Sequence, residues 1–175
     1  MIIEFELNIA DVSYTSEEFE DRRGFRICVR ELNNELIHSL IDLYENFDFE
    51  SQFQGVPPLN IELRKAWLQG LLRRGYHIVA TLGGGEIVGH AVLMELPTNR
   101  SCEFIVVVMK EHRNNGIGTK LCEASIKWAR ILRFKSMWLT VSGSNSHALH
   151  IYKKVGFHLT GHMEADMEME IDVTK

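Results

Sequence analysis

EFIVVVMKEHRNNGIGT, residues 103–119, joins three local patterns whose order decides how the chain is read. The run 104–109 is apolar, rich in β-branched side chains and without polar alternation, which predicts a central strand covered on both faces. RNNGIG follows, and its two glycines in alternate positions, Gly116 and Gly118, let the main chain turn tightly and approach a ligand closely. Beyond them Ile117, Leu121, Ala124, Trp128 and Ile131 recur at spacings of four, three, four and three, with Lys120, Glu123, Lys127 and Arg130 on the other side, which predicts an amphipathic helix. Strand, glycine turn and helix in that order build a phosphate cradle, because a helix start offers unpaired N–H groups and the positive end of its dipole.

Two better-known glycine loops do not fit. A Walker loop needs Gly-Lys-Ser/Thr after its spacer, and the dinucleotide fingerprint GxGxxG is not matched. Arg-x-x-Gly-x-Gly remains, carried by Arg113, Gly116 and Gly118, and with it the chain resembles the GNAT superfamily of N-acetyltransferases. That signature, Gln/Arg-x-x-Gly-x-Gly/Ala, lies between the family's fourth strand and a helix and holds the pyrophosphate of acetyl-coenzyme A. A second stretch, LTVSGSNSHALHIYKKVGF at 139–157, carries the same resemblance: a strand, an Asn, a helix bearing a Tyr seven residues on, then Gly-Phe, here Asn145, Tyr152, Gly156 and Phe157.

The resemblance implies an α+β fold of the GNAT-like acyl-coenzyme A N-acyltransferase type, a mixed, mostly antiparallel, twisted sheet flanked by helices. Its fourth and fifth strands splay apart, and the pantetheine arm enters between them and bonds to the main chain of Val106, Val107 and Val108. The main-chain N–H groups of Asn114, Asn115, Gly116, Ile117, Gly118 and Thr119 would hold the diphosphate, with Arg113 positioning the loop as well as meeting phosphate. Asn145 would bond the pantetheine or fix the strand end, since its amide suits both.

At 175 residues the chain has the length of one domain, able to bury about 70% of the surface of its unfolded form. We expect a single domain over 1–175, with an extra N-terminal segment at 1–22 and the core at 23–175. Cys28, Cys102 and Cys122 are few, odd in number and without metal-ligand spacing, which suits a reducing compartment. MIIEFELN carries acids where a signal peptide carries bases, and no apolar run approaches the roughly 18 residues of a membrane span, so the expectation is a soluble protein with the cytoplasm as default and no membrane partner. A net charge of −5 argues against nucleic acid, whose phosphates need clustered Lys and Arg.

Along the chain, Ile3, Phe5, Leu7 and Ile9 alternate as an edge strand and an acidic segment follows to Asp21. Residues 25–32 predict the first core strand, and Asn33 or Asn34 can cap a helix with Leu36, Ile37, Leu40, Ile41, Tyr44 and Phe47 on one face. A loop at 48–58 holds Gly55, Pro57 and Pro58, and a second helix buries Ile61, Trp67, Leu68, Leu71 and Leu72. Residues 76–82 and 86–96 flank Gly83, Gly84 and Gly85 as a hairpin. Strands are expected at 137–141 and 157–163. From Glu164 to Val173 the alternation has no exception, giving a half-buried strand with a solvated acidic face or, as a second reading, a field that draws a cationic substrate. The first and last strands, read as edges, would permit a homodimer.

Acyl transfer to an alkyl amine first needs the neutral nucleophile, and deprotonating a group of pKa about 10.4 at pH 7 costs about 3.4 units, roughly 4.6 kcal/mol. Glu103 is the leading base, the one acid in the central strand, ten residues before Arg113, where several members of the resembled family carry a catalytic glutamate. Others place the base five residues before the Asn, but that position is Thr140, which cannot serve at neutral pH. His90 ranks second, though a lone strand histidine is more often a hydrogen-bonded structural residue. Tyr152 matches the tyrosine that protonates the departing thiolate, a transfer uphill by roughly 2 kcal/mol between groups of pKa about 10 and 8.5. A main-chain N–H near Val106 could hold the oxyanion. His112, His147 and His150 lack a partner set for a metal, and Cys102 lacks a histidine to activate it.

The expectation is therefore an acetyl-coenzyme A dependent N-acetyltransferase that moves the acetyl group directly to a primary amine, with no metal. A non-catalytic acyl-coenzyme A sensor is the alternative. The resemblance implies that the acceptor, a small molecule or a peptide amine, is selected by the loop at 48–60, where Gln52 and Gln54 offer polar contacts, and by the turn at about 163–166.

Overall fold

Hydrophobic alternation and turn glycines build this molecule from the hairpins outward. The computed structural model describes residues 16–47, 57–97, 99–163 and 165–175. The expected strand at 3–9, and most of the 48–60 loop with Gln52 and Gln54, lie outside the described residues. Strands run as β1 Glu17–Glu20, β2 Arg26–Glu31, β3 Gly75–Thr81, β4 Ile87–Glu95, β5 Ser101–Val108, β6 Ser136–Ser142, β7 His158–Met163 and β8 Asp166–Asp172. The helices are α1 Ile37–Glu45, α2 Ile61–Arg74, α3 Ile117–Ile131 and α4 Ser146–Val155.

The strands form one mixed sheet in the order β1-β2-β3-β4-β5-β6-β8-β7, antiparallel at every described neighbour except β5 and β6. Positive φ at Gly84 and Gly85, 92° and 90°, closes the β3–β4 hairpin. One face of the sheet packs on α3 and α4 through Ala91, Leu93, Cys102, Phe104, Leu121, Trp128, Met137 and Met169. The other is covered by α1 and α2 through Leu36, Leu40, Leu43, Tyr44, Leu68 and Leu72. Asn33, not Asn34, caps the short 3₁₀ turn before α1, its side chain accepting the Leu36 N–H. No helix among the described residues is long and apolar enough to cross a membrane.

Five expectations change. β1 lies in what the sequence shows only as an acidic segment, because in EEFE a single apolar residue hides the alternation; Phe19 packs on the core while Glu18 pairs with Arg26 and Glu17 with Lys127. Ile61, the first residue of α2, is 49% exposed, and the buried place in that helix goes to Arg64, which donates to the carbonyls of Pro58, Tyr44 and Leu59. Ile131, the last residue of α3, is 39% exposed, whereas Ile117, Leu121, Ala124 and Trp128 are buried. The final strand is not an edge: β8 pairs along its whole length with β6, and the edge is β7. Finally, the run at 104–109 is not covered throughout, because Ile105 to Val108 are only half-buried where β5 parts from β6.

Candidate active site

The parallel ladder between β5 and β6 consists of Ser101↔Ser136, Cys102↔Met137 and Glu103↔Trp138, and it stops there. Beyond Glu103 the strands diverge, leaving a wedge whose apex is Glu103 and whose mouth lies at the carboxyl ends of both strands. On its other flank β5 stays fully paired to β4, with Ala91↔Val106, His90↔Val107 and Gly89↔Val108 in register. The main chain of Val106, Val107 and Val108 therefore faces the wedge along one flank. Both strands run into helix starts, α3 after β5 and α4 after β6, so two helix N-termini stand at the mouth.

The loop between β5 and α3 bends through a 3₁₀ turn at Lys110–His112 and then through two left-handed residues, Asn114 at φ 62° and Gly116 at φ 94°. Gly116 is the N-cap of α3, a conformation that favours glycine. Gly118 is different: its φ is ordinary, and a Cβ there would meet only Ile151 and Val108 at 3.6 and 3.8 Å. The backbone does not require a glycine at 118, and its absence of a side chain leaves the main chain there bare. The first α3 N–H bonded back along the chain is that of Lys120, to the Gly116 carbonyl at 3.1 Å, which leaves the N–H groups of Ile117, Gly118 and Thr119 as helix-start donors. Ile117 contributes only main chain, since its side chain is buried. Arg113 turns back along the strand, its Nε donating to the Val108 carbonyl at 2.9 Å, and Asn115 closes the loop by donating to the Arg113 carbonyl at 2.8 Å. Such a loop fits a diphosphate.

By strand alternation Glu103 faces the α1/α2 side of the sheet, with Met94 and Trp138 as its neighbours in register. Burial raises its carboxyl above the ordinary range, and its side chain has no hydrogen-bond or ionic partner among the described residues. Tyr152 lies on the opposite face, in α4, its ring 6.4 Å from that of Phe104 and 5.8 Å from that of Phe157. Burial, then the nearby Cys122, pushes its hydroxyl up rather than down, so the phenol holds its proton at every working pH and has no hydrogen-bond partner among the described residues. Asn145 caps α4, its side chain accepting the Ala148 N–H at 3.1 Å. Thr140 stands on β6, and by alternation it shares Glu103's face.

His90 is 1% exposed, and both ring nitrogens are engaged, Nδ1 with the Tyr44 hydroxyl at 2.8 Å and Nε2 with His77 Nδ1 at 2.9 Å. His77 Nε2 lies 3.0 Å from the Leu71 carbonyl, which can only accept. That end sets every proton: His77 donates to Leu71, His90 donates to His77, and Tyr44 donates to His90. Burial keeps both rings neutral, lowering His77 to about 4 and His90 well below its ordinary value. This chain ends on a carbonyl that cannot take a proton. Among the described residues no three His, Cys, Asp or Glu side chains converge as a metal site.

Sequence reading missed two residues beside the cradle. Arg22 Nη1 donates to the Asn114 carbonyl at 3.2 Å, and Arg23 Nη1 donates to the Glu111 carbonyl at 2.8 Å, both from the β1–β2 turn. Nothing in the motif spacing points to them, because the contact crosses about ninety positions of sequence.

The solved structures with related folds agree with this architecture. The spermidine N-acetyltransferase from Vibrio cholerae, in complex with CoA and spermine, superposes at a TM-score of 0.70 with 21% identity, covering 85% of this chain and 96% of that one. The GNAT domain of S. lividans PAT gives 0.75 at 17% identity, covering 90% and 96%. By sequence the chain is similar to the L-methionine sulfoximine/L-methionine sulfone acetyltransferase of Pseudomonas paraeruginosa, 28% identical over 111 residues, 61% of this chain and 64% of the relative. It is likewise 28% identical to the spermidine N(1)-acetyltransferase of Escherichia coli over 81 residues, 45% of this chain and 44% of the relative. The matches thus span less than two thirds of these relatives' length. The model of the acetyltransferase (GNAT) family matches residues 37–157, more than two thirds of the chain and both segments that form the wedge, and the chain belongs to that family.

Proposed function

We propose that the protein is an acetyl-coenzyme A dependent N-acetyltransferase that moves the acetyl group directly to a primary amine in a ternary complex. One observation carries the reading: Glu103 and Tyr152, on opposite faces of β5, flank the apex of the wedge, Glu103 as its last paired residue and Tyr152 against the ring of the next residue, Phe104. A base on one side and a proton donor on the other is the arrangement that attack by an amine and departure of a thiolate require.

In this reading the bound coenzyme supplies the activated acetyl group. The N–H groups at 114–119 hold its diphosphate, and the main chain of Val106, Val107 and Val108 pairs with its arm. Glu103 takes the amine proton, directly or through water, and its raised carboxyl moves it toward the operating pH. Tyr152 donates a hydrogen bond to the sulfur as charge develops there. Because its hydroxyl is raised, that bond does more than full proton transfer would. Asn145 holds the start of α4, and so the position of Tyr152 seven residues on. Small amines are the first acceptors to try, since the relatives' names specify spermidine and methionine derivatives.

The test is thermal unfolding with excess acetyl-coenzyme A, followed by thiol release with spermidine and methionine sulfoximine as acceptors. Ligand at 100 times its Kd stabilises the native state by about 2.7 kcal/mol. A raised midpoint with amine-dependent thiol release supports the enzyme. A raised midpoint without release from any amine sinks the catalytic roles, and an unmoved midpoint at millimolar ligand sinks the coenzyme site.

A further inference from the structure

The β1–β2 turn lies outside the residues that the family model matches, yet it is bonded to the cradle loop. Its centre is Asp21, a buried carboxylate whose Oδ1 accepts the main-chain N–H groups of Arg23 at 2.8 Å and Phe25 at 3.0 Å. The other oxygen, Oδ2, accepts Nε and Nη2 of Arg23 at 3.0 and 2.8 Å, which aims that guanidinium across to the loop. There Nη1 donates to the Glu111 carbonyl at 2.8 Å, and Nη2 donates to His112 Nδ1 at 2.7 Å. Arg23 thus uses four of its five N–H donors and is a fixed bracket, not a free anion binder. Arg22 makes a single bond among the described residues, to the Asn114 carbonyl.

We infer that Arg22 and Arg23 are positioning residues for the coenzyme, holding the cradle's peptide planes in the orientation that receives the diphosphate. In a trans peptide the C=O and the following N–H point in opposite directions. Pinning the Asn114 carbonyl outward on Arg22 therefore turns the Asn115 N–H away from the β1–β2 turn, toward the cradle. The same plane borders Asn114, whose left-handed backbone is one that non-glycine residues seldom adopt unaided. Arg23 fixes the preceding turn, which begins where β5 ends. The β1–β2 hairpin thus preorganises a loop that lies within the residues the family model matches. This inference rests on the coenzyme reading above.

The experiment is calorimetric binding of coenzyme A to the full chain and to Arg22→Ala, Arg22→Lys, Arg23→Ala and Arg23→Lys, with amide exchange of residues 110–116 followed in ligand-free protein. Both alanine variants should bind about tenfold more weakly and speed exchange in that loop. Their KM for acetyl-coenzyme A should rise more than kcat falls. Arg22→Lys should recover most of the affinity, because one donor suffices, and Arg23→Lys should not, because one ammonium cannot span three acceptors. Affinity within twofold of the parent in Arg22→Ala, whose exposed side chain puts little of the fold at risk, overturns the inference, as does loop exchange that stays unchanged. A parent protein that binds no coenzyme A overturns the coenzyme reading itself, a result separate from parent and variants binding equally well.

Discussion

With Glu103 proposed as the proton acceptor and Tyr152 as a hydrogen-bond donor, their surroundings make separable predictions. Glu103→Gln removes the base but keeps the shape, so kcat/KM at pH 7 should fall by about 10²-fold, the lower end for a positioned general base. The deficit should shrink as pH rises toward 9 and free amine becomes abundant. An equal loss at both pH values would assign Glu103 to binding instead. For the parent, the acid limb of the kcat/KM profile should lie above the ordinary carboxylate range, because burial raises this group. Tyr152→Phe removes a hydroxyl that has no partner among the described residues, so stability should change by less than about 1 kcal/mol while kcat falls by about tenfold or more. Parallel kinetics and urea unfolding check both halves. The placement of these two residues on a strand and a helix, like that of Gly116 and Gly118 at a helix start, is readable because each stands at a set spacing within one short stretch of sequence. The engagement of His90 is not, since it depends on a cross-strand register that brings His77 beside it and on a helix that brings Tyr44.

α3 links the core to the candidate site, because its buried stripe is continuous with the residues that open the cradle. A Cβ on Gly89 would come within 2.9 Å of Leu121 and 3.2 Å of Ile117, the two side chains that seat the first turns of α3. Gly89→Ala should therefore lift the N-terminus of that helix from the sheet. The expected cost is about 1–3 kcal/mol, as for overpacking a filled core, with weaker coenzyme A binding beside it. Calorimetry and thermal unfolding of the variant check this, and an affinity equal to the parent's would detach the cradle's geometry from the seating of α3. At this scale the strand and helix sequence was readable from residue 25 onward, because periods of two and of 3.6 survive without tertiary information. Strand order was not. β8 enters the sheet between β6 and β7, and nothing in DMEMEID distinguishes that place from an edge, since one face alternates polar in either case. β1 escaped for a related reason: three of its four residues are acidic, and its pairing with β2 and Lys127 supplies what its composition lacks.

Over the whole molecule, acid should weaken the fold before ordinary carboxylates begin to titrate. His77 and His90 are buried neutral, with His77 near 4 and His90 well below 6.5, while the unfolded chain protonates both near 6.5. Unfolded protein then binds more protons, so the full stability stands above pH 6.5 and drains as pH falls from 6.5 toward 4. The slope reaches up to about 1.4 kcal/mol per pH unit for each histidine. Glu103 opposes this, because its raised carboxyl favours the folded state as it takes a proton. Urea midpoints at pH 7.5 and 5.5 should differ clearly, and equal midpoints would mean that the Tyr44–His90–His77 chain opens and hydrates at little cost. The parting of β5 from β6 also reaches beyond catalysis. Most sheets keep their unsatisfied flanks at the perimeter, where charges and short strands guard them. Here residues 105–107 leave such a flank in the middle of the molecule, apolar and only half-covered, at the place where any extended segment of a neighbouring chain would fit as a strand. Whatever fills the wedge is then also its stopper, and the same protein held without that occupant should be the form that sticks to itself.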